Sequence, residues 1–121
     1  MSDLRVELVE VGVAPGGAIQ GRVMWDRREL HPKQVEVPLG WHTAGAGDKD
    51  ESAPLVERFE IGAGVGEIEF SFGAPDGPYS FSGKLLSIVW TVEAVVGTQS
   101  VRVPVVIGPG GRELVVGRVA S

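Results

Sequence analysis

The chain contains no cysteine, only two histidines and no long apolar run. Without cysteine it can hold neither a disulfide framework nor a thiolate metal site. Two histidines are also few for a transition-metal centre, which usually gathers several imidazoles or thiolates. No stretch reaches the roughly 18 consecutive apolar residues of a membrane-spanning helix, and the charged N-terminus lacks the apolar segment of a signal peptide. We therefore expect a cytoplasmic protein with no membrane insertion.

Positive charge is also scarce. The 121 residues carry 11 lysines and arginines against 16 aspartates and glutamates, which gives a net charge of −5. A nucleic-acid surface needs a basic patch, so we expect no nucleic-acid partner. The length favours a single domain, residues 1–121, that can bury one core without covalent staples.

Glycine and proline are abundant by contrast, with 18 and 8 copies that cluster between apolar runs. These clusters predict turns. No segment between them repeats apolar residues at helical spacing over three turns, and the one short helix that the pattern allows lies at Asp26–Leu30. Alternating apolar and polar residues instead predict about seven or eight strands. Short strands divided by turns are typical of an all-β, two-sheet antiparallel sandwich with immunoglobulin-like topology.

The most informative stretch is residues 74–96. It opens with a corner that holds two prolines and two glycines, which stop a strand and turn the chain. The run behind the corner places apolar residues at every second position: Leu86, Ile88, Trp90, Val92, Ala94 and Val96. This pattern predicts a loop that crosses between the two sheets, followed by a central strand.

Three positions interrupt the strand patterns elsewhere. Pro38 lies inside the predicted strand Gln34–Thr43, and because proline donates no backbone hydrogen bond, this strand should lie at an edge or carry a bulge. Gly21 predicts a bulge or a close backbone approach. The alternation of Leu4–Val11 slips at Val9, which again predicts a bulge.

The apolar faces of these strands predict the core. The three tryptophans belong to it by alternation, and core packing explains them without a ligand. The predicted core residues are Val6, Leu8, Val23, Trp25, Val37, Leu39, Trp41, Phe59, Ile68, Phe70, Ile88, Trp90, Val92, Val103 and Val105.

Residues 44–54 show no periodicity and predict an exposed acidic loop. Asp48, Asp50 and Glu51 lie in its glycine-flexible part, Gly45–Ser52. Calcium prefers several oxygen ligands from such loops, so these carboxylates are the candidate metal ligands, although their spacing does not match an EF-hand. A solvated acidic loop is the simpler interpretation, and we expect no cofactor.

His42 precedes this loop and could act as a base, or as a metal ligand beside Asp48 and Asp50. If Trp41 faces the core, alternation turns His42 to solvent, which is the simpler interpretation. The serines lack a G-x-S-x-G motif, and residues 62–66 lack the lysine of a phosphate-binding loop. We find no catalytic set and expect that the protein is not an enzyme.

Four segments follow one another in a specific order. They are Gly17–Val23 with the sequence G-A-I-Q-G-R-V, Val35–Thr43, Ile68–Gly83 with F-S-F ahead of the Pro75–Pro78 corner, and Leu86–Val92. In order and spacing they resemble one lobe of the arrestin-like β-sandwich family, which includes bacterial sporulation-control proteins and the retromer cargo subunit. The resemblance implies a non-enzymatic scaffold or adaptor. Family members usually carry two lobes and arrestins carry a buried polar core, whereas this chain has room for one lobe and shows no such charge set.

We therefore expect a protein-interaction module that binds a protein partner through its sheet edges and loops, because an open edge can accept a partner's strand. A homodimer is a second option, since a second copy could stand in for the other lobe. The alternative is a small metal- or carbohydrate-binding module that uses the Gly45–Ser52 loop.

Overall fold

A computed structural model describes residues 3–27, 33–45, 50–62, 64–82, 86–112 and 114–115. These residues form seven long strands, three two-residue strands and one 3-10 turn. They are β1 Asp3–Leu8, β2 Gly12–Val13, β3 Ala18–Arg27, β4 Lys33–Gly45, β5 Glu51–Ile61, β6 Gly64–Gly73, β7 Phe81–Ser82, β8 Leu86–Val96, β9 Gln99–Ile107, the turn Pro109–Gly111 and β10 Leu114–Val115. Among the described residues, none of the helical structure has the length and apolar character needed to cross a bilayer.

The strands form two sheets. The smaller sheet has the order β1-β3-β6 and is antiparallel throughout. The larger sheet has the order β10-β7-β8-β4-β5, and β9 joins it by pairing with β8 and β2. The long strands pair antiparallel, while the two-residue strands β2 and β10 add short parallel pairs to β9 and β7. The predicted all-β, two-sheet sandwich is confirmed.

The core lies between the sheets and is formed by the alternating apolar positions. Eight of the fifteen predicted core residues are buried. The half-buried ones are Leu8, Trp25, Trp41, Phe59, Ile68, Ile88 and Val103. Additional residues buried in the core are Leu4, Val13, Ile19, Val35, Ile61, Phe72, Ala74, Ala94, Val96 and Ile107.

The corner before β8 connects the two sheets, as its sequence predicts. Trp90 is completely buried, and its indole N–H donates to the carbonyl oxygen of Pro78 at 2.6 Å. Ser80, a buried polar residue, donates its backbone N–H to Ile107 (2.7 Å), and its hydroxyl oxygen accepts the N–H of Ile107 (2.9 Å). These bonds satisfy polar groups that would otherwise be buried without partners. Trp90 is therefore a core anchor that ties the crossing loop to the larger sheet.

Pro38 does not mark an edge strand. β4 lies in the interior of the larger sheet and pairs with both β5 and β8. The β4–β8 ladder pairs Glu36 and Leu39 but skips Val37 and Pro38, which is where the missing N–H of proline faces β8. The edge prediction is wrong, because an interruption of one ladder is enough to accommodate the proline.

The alternative prediction, a bulge on this strand, is met only on its neighbour β5. The β4–β5 register shifts between Leu39 and Trp41. The extra residue lies on β5, where Ala53 and Pro54 face Gly40. A Cβ atom on Gly40 would lie 2.8 Å from the carbonyl oxygen of Ser52, so only glycine fits against the bulged strand.

The irregular positions in the N-terminal strands have two different causes. Gly21 is a close approach, since a Cβ atom there would lie 2.7 Å from the ring of Phe70. The slip at Val9 is no bulge within one strand: β1 ends at Leu8, and the chain crosses to the larger sheet, where β2 pairs with β9.

Three loop and terminal predictions change. The exposed loop at 44–54 is shorter than predicted, because β4 extends to Gly45 and β5 begins at Glu51. The predicted helix at 26–30 is wrong at Asp26 and Arg27, which belong to β3, and its other residues lie outside the described ranges. The sequence also predicts a last short strand at Glu113–Val119, of which only Leu114–Val115 is described.

Candidate functional site

Of the candidate metal ligands in the Gly45–Ser52 loop, two lie within the described residues. Asp48 lies outside the described residues, while Asp50 and Glu51 are exposed. The backbone of Asp50 closes the β4–β5 hairpin: its carbonyl oxygen accepts the N–H of Thr43, and its own N–H donates to the hydroxyl oxygen of Thr43, both at 2.9 Å. Within the described ranges, no three His, Asp or Glu side chains converge to hold a metal ion. The calcium site therefore stays a prediction.

His42 lies on the outer face of the larger sheet, as alternation with the core-packed Trp41 predicts. It is half-buried and pairs across the strands with Glu51 and Val89. His42, Glu51 and Arg102 line a shallow depression of about 580 Å³. Asp50 lines it as well, so an imidazole, two carboxylates and a guanidinium lie around an open surface, and Arg102 pairs with Glu93 at 3.8 Å.

The tryptophans offer no aromatic platform. Trp90 is buried, and Trp25 lies over Gly66 on the neighbouring strand, where a Cβ atom would come within 2.6 Å of the indole ring. Trp41 packs against the core. Core packing therefore accounts for all three indoles.

Two long edge strands lie side by side in sequence. β5 bonds to β4 at the edge of the larger sheet, and β6 bonds to β3 at the edge of the smaller one; no other pairing of either strand is seen in the described residues. β1 is also an edge strand, but it is shorter and packs beside β9. The other margin of the larger sheet is formed by β9, which in the described residues pairs with β2 only at Val106 and Ile107 and carries Pro104, and by the two-residue strand β10.

β5 carries several features that hinder the addition of another strand. Ala53 and Pro54 form the bulge, and Pro54 has no N–H to offer. Glu57 pairs with the buried Val37 and so points toward the core side of the sheet, yet it remains exposed. Bulges, prolines and inward-pointing charges are the devices by which natural edges avoid pairing.

β6 has none of these devices. Its register with β3 runs without a shift from Ala18–Gly73 to Arg27–Gly64. The strand contains no proline and no basic residue, and no charge points inward. Phe70 and Phe72 are buried and Ile68 is half-buried, so the strand is held firmly on its inner face.

Two hydrogen bonds fix which backbone groups of β6 face the open edge. Val9 donates its N–H to Gln20 (2.8 Å), and Ala74 donates its N–H to Gly17 (2.7 Å). Successive residues of an antiparallel strand turn their N–H and C=O groups to opposite sides. The even-numbered residues of β6 therefore bond to β3, and the odd-numbered residues turn their backbone groups to the open edge. These residues are Val65, Glu67, Glu69 and Ser71.

The side chains of these odd-numbered residues lie on the outer face and are exposed, Val65 to 83%. Glu67 accepts a hydrogen bond from Arg22 (3.3 Å), which also pairs with Glu7 (3.2 Å). The hydrogen bond and charge of Glu7, together with the charge of Glu67, raise the pKa of Arg22 above its usual value. Glu69 makes no ion pair with any described residue, so the edge keeps an excess of negative charge.

The sequence predicts β6 and its alternation but not its position at the edge of a sheet. The pattern at 66–72 predicts which side chains face out, and the structure confirms it. Which strands lie at an edge depends on the order of strands in the sheets, and a single sequence carries no direct signal for that order.

Comparisons with known proteins reach the fold and no further. No protein-family description and no curated protein matches the sequence. Among solved structures, Spo0M, a sporulation control protein from Bacillus subtilis, matches with a TM-score of 0.64 and 14% identity over 89% of this chain. This chain spans about half of Spo0M, 49% of its length.

Two structures of a β-glucosidase from Listeria innocua also match, with isofagomine and with gluconolactone bound. Their TM-scores are 0.52 and 0.50 at 14% identity, and the match covers 16% of each enzyme chain. The chain is thus a two-sheet β-sandwich of a kind found in quite different proteins. The resemblance to the arrestin-like sporulation-control proteins is supported at the level of the fold by Spo0M.

Proposed function

We propose that this protein is a non-catalytic interaction module that binds a protein partner by strand addition to the edge of β6. One observation carries the proposal: β6 is a ten-residue edge strand with an uninterrupted register and no bulge, proline or inward-pointing charge. Its odd-numbered residues offer backbone N–H and C=O groups to a partner. Main-chain hydrogen bonds of this kind supply affinity, and the alternating side chains supply specificity.

The rest of the described surface supports binding better than catalysis. The depression around His42 is open and mixes charges of both signs, whereas a small-molecule site usually encloses its ligand. Spo0M is described as a sporulation control protein, which agrees with a regulatory or adaptor role for a related fold. No observation favours the metal- or carbohydrate-binding alternative, so we do not propose it.

The test removes one edge-facing N–H without touching the β3–β6 ladder. Glu69→Pro does this on β6, and Glu69→Ala is its matched control because it keeps the N–H. Glu60→Pro is the matched variant on β5. Thr43 donates to Asp50, so the odd-numbered residues of β4 turn their backbone groups to β5. Glu60 pairs with the even-numbered Gln34, and its N–H therefore faces the open edge.

Random decapeptides displayed on phage are selected on the wild-type protein and then measured on each variant. We expect Glu69→Pro to lower the affinity of the selected peptides about ten-fold, because one hydrogen bond is lost and the proline ring clashes with the added strand. Glu60→Pro should leave the affinity within about two-fold of wild type. Glu67→Pro replaces Glu69→Pro if that variant does not fold. Failure to select any peptide, or peptides that ignore both β6 prolines, would contradict the proposal.

A further inference from the structure

We infer that the partner strand at β6 carries basic side chains at alternate positions, and that a second copy of this chain is not the partner. The inference rests on the proposed function, strand addition at β6, and specifies the chemistry of the partner. It follows from where Glu67 and Glu69 point and from what lies beside them.

The two glutamates stand at the positions that a partner must face directly. Glu67 and Glu69 turn their backbone groups to the open edge, so each would form a hydrogen-bonded pair with a partner residue. In such a pair the Cα atoms lie about 5.5 Å apart and both side chains project from the same face. Their own spacing along the strand is about 7 Å, which is the spacing of alternate residues in any partner.

Cross-strand charge then selects the partner's outer residues. Opposite charges at directly facing positions stabilise a pair of strands, and like charges destabilise it. Arg22 already pairs with Glu67, but Glu69 lacks an ion pair in the described structure, and β6 has no basic residue of its own. Lysine or arginine opposite Glu69, and to a lesser extent opposite Glu67, would complement this edge.

On the inner face of β6, the partner residues that lie between the basic positions should be apolar. Ile68 is half-buried at the margin of the core, and Phe59 of β5 is half-buried on the other sheet. Apolar side chains of an added strand would extend this margin of the core. A partner segment that alternates basic and apolar residues therefore fits both faces of the edge.

A second copy lacks this complementarity. In the antiparallel register that pairs residue 64 with residue 72 of a second copy, Glu67 faces Glu69 of that copy and Glu69 faces its Glu67. Shifting the overlap by one pair in either direction brings Glu67 against its own equivalent, or Glu69 against its own equivalent. Each of these registers places like charges directly opposite, so self-pairing through β6 is disfavoured.

Three labelled decapeptides test the inference by fluorescence anisotropy. They share valine and threonine at the inward positions and carry lysine, serine or glutamate at all outward positions. At low salt we expect the lysine peptide to bind roughly three- to ten-fold tighter than the serine peptide, and the glutamate peptide weakest. The advantage of lysine should shrink at about 0.5 M salt, because screening weakens exposed charge pairs.

The double variant Glu67→Gln with Glu69→Gln separates charge from backbone pairing. It should remove the advantage of lysine, so the readout is the ratio of the affinities for the lysine and serine peptides, measured on the same variant. Equal binding of lysine and serine peptides, or a lysine advantage that survives the double variant, would overturn the inference.

The two proposals fail in different ways. If the serine peptide binds and Glu69→Pro weakens it while lysine gives no advantage, strand addition stands and the basic partner does not. If no peptide responds to Glu69→Pro, strand addition itself fails. A wild-type dimer in sedimentation runs that Glu69→Pro abolishes would make the second copy the partner and overturn the inference.

Discussion

β5 and β6 follow one another in the chain and form the edges of different sheets, yet they are built differently. β5 is exposed along most of its length, with Leu55 at 37% and Val56 at 36%, and it carries a bulge, a proline and an inward-pointing glutamate. β6 is anchored by buried phenylalanines and keeps a regular register with its neighbour. The more exposed strand is thus the one protected against pairing.

This difference shows that exposure alone does not identify a docking edge. An exposed apolar strand with unpaired backbone groups is an aggregation hazard, and β5 shows how that hazard is reduced. A docking edge needs backbone groups at regular intervals and a rigid inner face that holds them in place, and β6 has both. The outward glutamates of β6 keep it selective, because they oppose strands without complementary charge.

Truncating one aromatic ring on each strand should give the largest difference between them. Phe70→Ala should lower the free energy of unfolding by about 3–5 kcal/mol, since it leaves a cavity in the buried core. Phe59→Ala on β5 should cost roughly 1–2 kcal/mol, because Phe59 is only half-buried. Urea denaturation of both variants measures this, and equal losses would show that β6 is held no more firmly than β5.

Proline at neighbouring positions of β6 tests the direction of the backbone groups. Ile68→Pro removes an N–H that bonds to β3. It should therefore lower the free energy of unfolding by about 2–3 kcal/mol more than Ile68→Ala does. Glu69→Pro should cost less than about 1 kcal/mol beyond Glu69→Ala, because its N–H faces solvent. The same denaturation assay applies. A larger penalty at Glu69 than at Ile68 would reverse the assignment of the open edge.

Removing the inward-pointing charge of β5 should allow copies of the protein to associate through that edge. Glu57→Val leaves stability within about 0.5 kcal/mol of wild type, since the side chain is exposed, but it completes an apolar face with Leu55 and Phe59. We expect concentration-dependent association, measured by light scattering behind a sizing column. Adding Glu60→Pro should suppress it and adding Glu69→Pro should not. A strictly monomeric Glu57→Val would mean that the charge does not protect β5.

Neutralising one exposed arginine on each sheet should have the smallest effect. Arg22→Gln removes the pairs with Glu7 and Glu67, and Arg58→Gln removes the pair of β5 with Glu36 at 3.6 Å. Such pairs contribute little and are screened by salt.

The pH dependence of the Arg22 effect has a definite sign. The pKa of Arg22 in the folded state is raised above its usual, strongly basic value, chiefly by its hydrogen bond to Glu7. The contribution of Arg22 is therefore fully present below the pKa of the unfolded state and is lost only as the pH rises through the pKa of the folded state. The small effect of Arg22→Gln on the urea midpoint should therefore stay constant from about pH 6 to 9. A loss that changes steadily across this range would mean that another group controls it.

Much of the fold could be predicted from local pattern. The alternation of residues 66–72 and 99–107, and the prolines and glycines of the 74–83 corner, predict strands and a crossing that the structure confirms. The wrong predictions are those that depend on the order of the strands in the sheets. Pro38 predicts an edge strand or a bulge, but β4 lies between β5 and β8, and the β4–β8 ladder skips residues 37 and 38. The slip at Val9 marks a change of sheet.

The candidate site was harder to predict for the same reason. The carboxylates at 48–51 stand out in the sequence by their density, whereas Glu67 and Glu69 look like the ordinary polar face of a strand. Their significance comes from the position of β6 at the end of a sheet and from the direction of its backbone groups. Both are properties of the assembled sheet that residue spacing does not encode.

Amide hydrogen exchange at residues 66–70 tests the central claim most directly. In the free monomer, the amides of Glu67 and Glu69 should exchange rapidly, while those of Gly66, Ile68 and Phe70 are protected by their bonds to β3. Adding the lysine peptide should slow exchange at Glu67 and Glu69 and leave the others unchanged. If the amides of Glu67 and Glu69 are already protected in the monomer, or stay unprotected when the peptide is bound, β6 is not a docking edge.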